Sequence, residues 1–186
     1  MLISIPTILL LSTLSLASPV PDRTGNRRRQ QFTQTISSRP YNQWQIADGQ
    51  AGFALTEAEQ RFPIVDRDPL SISDDELTAL KNGAALSEAS ETGKGGSDER
   101  IASAKAQGQN TKALENGRTK MRVLRHQLDI LALQVENARG EDNQGAIDDA
   151  FDAIRGEMAA DAGNAGQGST GISDTFVLGL ATEVSK

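Results

Sequence analysis

The chain has 186 residues, with 19 Lys and Arg against 25 Asp and Glu, no cysteine and one histidine. These numbers exclude a disulfide-stapled scaffold and a thiolate zinc site, and any Ser-His-Asp or Cys-His machinery would have to use His126. A net charge of −6 argues against a general nucleic-acid binder, which needs clustered Lys and Arg to neutralise phosphates.

Residues 2–16, LISIPTILLLSTLSL, carry no charge. The run is short for a membrane span, which needs about 20 residues, and fits the apolar region of a secretory signal. Ser15, Leu16 and Ala17 then place small residues where signal peptidase cuts, so residues 1–17 read as a signal peptide ending at Ala17. Residues 18–29, SPVPDRTGNRRR, read as a propeptide. Its Arg27, Arg28 and Arg29 form a dibasic site of the kind cut by processing proteases of the secretory pathway, although a solvated basic arm has the same composition. Cutting after Arg29 makes Gln30 the first residue and leaves 15 basic against 24 acidic residues, a net of −9. No Asn-x-Ser/Thr acceptor occurs, and the polar ending ATEVSK does not suit a lipid-anchor signal. The expectation is a secreted, extracellular protein with neither an N-glycan nor a transmembrane anchor.

Residues 30–46 hold Pro40, Tyr41 and Trp44 among Gln, Ser and Thr, and read as an extended lead-in to a domain spanning 30–162. A first helix is expected from Asp48 to Phe62, with Ala51, Leu55, Ala58 and Phe62 on one face and Pro63 as its stop. Residues 64–69 read as a connector. Ser73 and Glu76 have capping-box spacing ahead of a second helix whose buried face is Leu77, Leu80 and Ala84, and the glycines of 93–96 end it. The third segment is the strongest. Leu114, Gly117, Met121, Leu124, Leu128, Leu131, Val135 and Ala138 alternate three- and four-residue steps. Lys120, Arg122, Arg125, Gln127, Asp129 and Glu136 fall on the intervening, wet positions. This helix is expected to run from about Ser97, bend at Gly108 and stop at Gly140. Ile147, Phe151, Ile154 and Met158 mark a fourth helix beginning near Glu141. Residues 163–186 read as a glycine-rich linker and flexible tail, with one apolar cluster at Phe176, Val177, Leu178 and Leu180. The expected fold is all-α: an antiparallel bundle of about four amphipathic helices, burying its heptad face within one monomer.

The segment from Arg39 to Gly49, RPYNQWQIADG, with Ala51, Gly52, Phe62 and Pro63, resembles a group of cysteine-free small secreted proteins of filamentous ascomycete fungi. The stretches ALENG at 113–117 and LALQVE at 131–136 are similar to the same group. The resemblance covers about residues 39–140 and implies secretion and an α-helical body, without implying a reaction. Trp44 stands where the group suggests Phe.

No constellation of catalytic, cofactor-binding or metal-ligating residues emerges. His126 lies between Leu124 and Leu128 and reads as an exposed helix residue beside Arg125. Asp74 and Asp75 are accounted for by a helix N-terminus, and Asp148, Asp149 and Asp152 by a solvated face. Asp66 and Asp68 lack the glycine and closing Glu of a calcium loop. Gly93 to Ser97, GKGGS, has the wrong order for a phosphate loop. Tyr41 and Trp44 are a candidate interaction surface, or else they fold back to cap the bundle. The sequence therefore points to a secreted, non-enzymatic binder of a wall component, host surface or protein. The alternative is a binder of hydrophobic surfaces or small lipophilic ligands, and a secreted hydrolase ranks below both.

Overall fold

The computed structural model describes residues 44–172, and within them one long helix is enclosed by shorter elements. Ala17, Arg28, Arg29, Tyr41 and the Phe176–Leu180 cluster lie outside the described residues. The first element among the described residues is a two-residue strand, β1 (Gly49–Gln50), followed by α1 (Ala54–Arg61). Helix α2 (Asp74–Thr92) and helix α3 (Ser97–Ala106) lead to the central α4 (Lys112–Ala138). Helix α5 (Gln144–Gly163) and strand β2 (Gly168–Ser169) complete the order. The all-α expectation holds, with β1 and β2 pairing antiparallel as a minor addition through Gly49↔Ser169 and Gln50↔Gly168.

Several boundaries differ from the sequence expectation, each for a local reason. Helix α1 starts at Ala54, not Asp48, because Gly49 (φ 101°) and Gly52 (φ 109°) adopt left-handed conformations that a helix excludes. The expected third helix is two helices. Gly108 takes φ 67°, and the N–H of Gln109 returns to the Ala104 carbonyl at 2.9 Å, so the chain terminates α3 there instead of bending through it. Helix α5 continues beyond Met158 to Gly163. The capping box stands as expected: Ser73 Oγ accepts from the Glu76 N–H at 3.3 Å, and Glu76 Oε2 accepts from the Ser73 N–H at 2.9 Å.

Helix α4 packs most extensively against α2 and α5 and also touches α1, α3 and β2. Enclosure on several sides explains why its buried set exceeds the heptad. Met121, Leu124, Leu128, Leu131 and Val135 are buried as expected, and so are Lys120, Val123, Gln127, Ile130 and Ala132. Trp44, Phe62, Leu80, Leu124 and Leu128 are almost wholly enclosed, each worth about 1.5–3 kcal/mol of transfer from water. Helix α5 is buried along a narrow stripe of Ile147, Ile154 and Asp161, which leaves Phe151, expected in the core, 38% exposed.

Residues 164–172, expected as linker, form a strap instead. The Gly166 N–H donates to the Ala51 carbonyl and the Ala51 N–H to the Gln167 carbonyl, both at 3.0 Å. Ser169 and Ile172 are buried at its end.

Candidate functional site

Two polar arrangements at opposite ends of α4 and one along its length hold the chemistry of this fold. The first is a clamp near the N-terminal end. Asn116, Gly117 and Lys120 lie on one side of α4, against residues 45–50 and the strap. Lys120 is fully enclosed, and its Nζ donates to the carbonyls of Asp48 (2.9 Å) and Gln50 (3.0 Å) and to the Glu57 carboxylate (2.9 Å). All three ammonium donors have acceptors, which offsets the cost of enclosing them. Asn116 Nδ2 donates to the Gly168 carbonyl at 2.9 Å. Ser169 Oγ donates to the Ala47 carbonyl at 2.6 Å, and the Gly171 N–H to Asp48 Oδ1 at 2.8 Å. From α5, Asp161 accepts the Ala54 N–H at 2.9 Å and so caps α1 from a distant helix.

Trp44 belongs to this enclosed region, with 1% of its surface exposed. It is enclosed and offers no free recognition surface, contrary to the candidate role for Trp44, while Tyr41 lies outside the described residues. Beside the strap lies an open depression of about 290 Å³ lined by Arg100, Ser103, Gln107, Gln109 and Leu114, among others. A second void, about 10 Å³ at Gly117 and Arg118, has room for one water.

The second arrangement follows α4. Arg122 bridges two helices, its Nε donating to Glu91 of α2 at 2.6 Å and its Nη1 to Glu157 of α5 at 3.3 Å. One turn on, Arg125 pairs with Glu88 at 3.2 Å and with Asp129 at 3.8 Å. His126 sits among these groups, half-buried and not exposed as the heptad suggested. Burial first, then the Arg125 and Arg122 charges, hold its pKa below the ordinary histidine value, while Asp129 and Glu157 pull the other way. Burial also raises the Asp129 carboxyl above its usual range, against the pull of Arg125 and His126. A histidine depressed in the fold takes its proton later than in the unfolded chain. The unfolded state then binds more protons below about pH 6.5, and stability falls as pH drops through that window. His126→Gln should lose less stability than the wild type between about pH 7.5 and 5.5 in parallel urea titrations. Equal losses would show that the imidazole does not contribute.

The third arrangement is the loop 63–71, between α1 and α2. Ile64 and Ile72 are buried and anchor its two ends. Arg67 turns inward and forks onto the fully buried Glu76 carboxylate at 2.7 and 3.3 Å, with a further bond to the Ser71 carbonyl at 3.2 Å. Burial pushes the Glu76 carboxyl up, but the hydrogen bonds from Arg67 and Ser73 outweigh it and hold the pKa below the usual range. Asp68 accepts the Leu70 N–H at 3.0 Å and the Ser71 hydroxyl through its carbonyl at 2.7 Å. Arg139, from the far end of α4, donates to the Ile72 carbonyl at 2.6 Å and to Asp74 at 2.7 Å. Held this way, the loop exposes Val65 (42%) and Leu70 (64%) together with Asp66 and Asp68. The sequence offered only a connector here. The usable signal was the cluster Val65-Asp66-Arg67-Asp68-Pro69-Leu70, three charged residues flanked by apolar ones between two buried isoleucines.

Among the described residues, no group of three or more His, Cys, Asp and Glu side chains could hold a metal ion, and no helix is long and apolar enough to cross a membrane. The geometry defines a helical domain in which residues 45–50 and 164–172 close on α4, with a braced acidic and apolar loop between α1 and α2. The chain belongs to the family described as Domain of unknown function (DUF8454), whose family model matches residues 36–173. No curated protein and no solved structure matches it.

Proposed function

We propose that the protein is secreted and acts by binding a partner outside the cell, without catalysing a reaction, in the manner of the small secreted fungal proteins it resembles. The reading is carried by the inversion in the loop 63–71. A charged side chain, Arg67, is drawn in onto a buried carboxylate while Val65 and Leu70 are held in water. Exposed apolar side chains on a rigid loop lose little conformational freedom when a partner covers them. The leader at residues 2–16 supports export, and the family match begins at residue 36, downstream of both the signal peptide and Arg29. Capture of lipophilic ligands is the weaker reading, because the depression beside the strap is open to solvent and sets Arg100, Gln107 and Gln109 beside Ala104 and Leu114 instead of enclosing an apolar ligand.

Expressing the full chain with its own leader in a secreting fungal host tests this reading. The protein should accumulate in the medium with Gln30 at its N-terminus. Ser18 at that position would reject the cut after Arg29 and leave secretion standing. Retention inside the cell with Met1 intact would overturn the reading. The recovered protein should be retained on cell-wall material, host surface or immobilised extracellular protein, and retention on none of them would remove the binding role.

A further inference from the structure

We infer that the loop 63–71 recognises a protein surface in which lysine and arginine side chains frame an apolar pocket; this rests on the extracellular-binding reading above. Among the described residues four large apolar side chains are exposed, and two of them, Val65 and Leu70, belong to this one loop. Single exposed apolar residues are ordinary on a protein surface, but two on a nine-residue segment braced by two arginines call for an explanation. The bracing is extensive. Arg67 and Glu76 hold the loop's middle, Asp68 closes the turn at Pro69, and Arg139 fixes its exit at Ile72 and Asp74. Folding alone would be served as well by packed apolar residues in place of both Arg67 and Glu76, since a buried ion pair seldom outperforms a packed hydrophobic one.

The charge pattern selects the partner. The only basic side chain of the loop is neutralised internally by Glu76, so the outward charge is that of Asp66 and Asp68, with Asp75 at the start of α2 adding to it. Such a face is repelled by phosphate- or uronate-bearing polysaccharide. The loop has no aromatic side chain with which to stack on a neutral sugar. A protein surface with a cationic rim and an apolar centre satisfies both features, Leu70 entering the pocket and the aspartates steering the approach.

Selection from a phage-displayed random peptide library on the secreted full chain tests the inference. Enriched peptides should combine Lys or Arg with apolar residues and should weaken as salt is raised. Val65→Ser with Leu70→Ser should reduce their affinity about tenfold or more, and Asp66→Asn with Asp68→Asn should reduce it while flattening the salt dependence. Thermal melts matching the wild type would show that the variants keep the fold. The inference is overturned if no peptide is enriched, if enriched peptides lack basic residues, or if they bind both variants as well as the wild type. Retention on wall polysaccharide that the Val65→Ser and Leu70→Ser pair abolishes would assign the loop to a sugar. That result would overturn the protein partner and leave the binding reading intact.

Discussion

Lys120→Met should cost about 3 kcal/mol of unfolding free energy, a loss of about 10 °C in Tm for a domain of this size. The substitution keeps the length and apolar stem of the side chain and removes only the ammonium. Three acceptors then lose their donor: the carbonyls of Asp48 and Gln50 and the carboxylate of Glu57. Removing one member of a buried ion pair typically costs 3–5 kcal/mol. The lower figure applies because Glu57 is 34% exposed and can rehydrate. Glu57→Gln retains an acceptor and should cost only about 1 kcal/mol. Chemical denaturation of the three proteins checks the order. If Lys120→Met is as stable as the wild type, the buried ammonium does not hold the 45–50 segment on α4.

Features that depend on a few neighbouring residues were legible in the sequence. The capping box of Ser73 and Glu76 needs only its own four positions, and Gly93 ends α2 for equally local reasons. The apolar period of α4 was legible because five heptad residues from Met121 to Val135 are buried together. Lys120 and Gln127 were misplaced because a heptad assigns one buried face, and α4 is covered on several sides by α1, α2, α5 and the strap. The end of α5 was misjudged because its last inward residue is the polar Asp161, which the apolar period does not count. Phe151 sits near the edge of a stripe defined by Ile147 and Ile154, seven residues apart, and the four-three-four pattern could not tell edge from centre. The strap was taken as linker because its fixed geometry comes from partners more than 50 residues away, such as Asn116 and Ala47. For the loop 63–71 the anchoring isoleucines and the acidic residues were visible. The inward turn of Arg67 was not, since it depends on the buried carboxylate that α2 supplies.

Gly117→Ala is the sharper test of how the segments around Ala47 and Thr170 close on α4. In an exposed helix the change would stabilise by about 1 kcal/mol, because alanine is the better helix former. At Gly117 the added Cβ would lie 2.1 Å from the Thr170 carbonyl oxygen, 2.8 Å from its carbon and 3.2 Å from the Ala47 carbonyl oxygen. All three are backbone atoms, so no rotamer change relieves the clash. The strap must lift, breaking the Thr170 N–H bond to Ala113 and the Ser169 bond to Ala47 and exposing Ile172, or α4 must shift within a packed core. Overpacking of this kind costs about 1–3 kcal/mol, and the lost strap contacts bring the expected destabilisation to about 3 kcal/mol. Gly156→Ala on α5, where an added Cβ meets nothing within 4 Å, is the matched control and should gain up to about 1 kcal/mol. Opposite signs for the two substitutions in urea titration would locate the closure at Gly117, and a stabilised Gly117→Ala protein would rule out a strap packed against the helix backbone there.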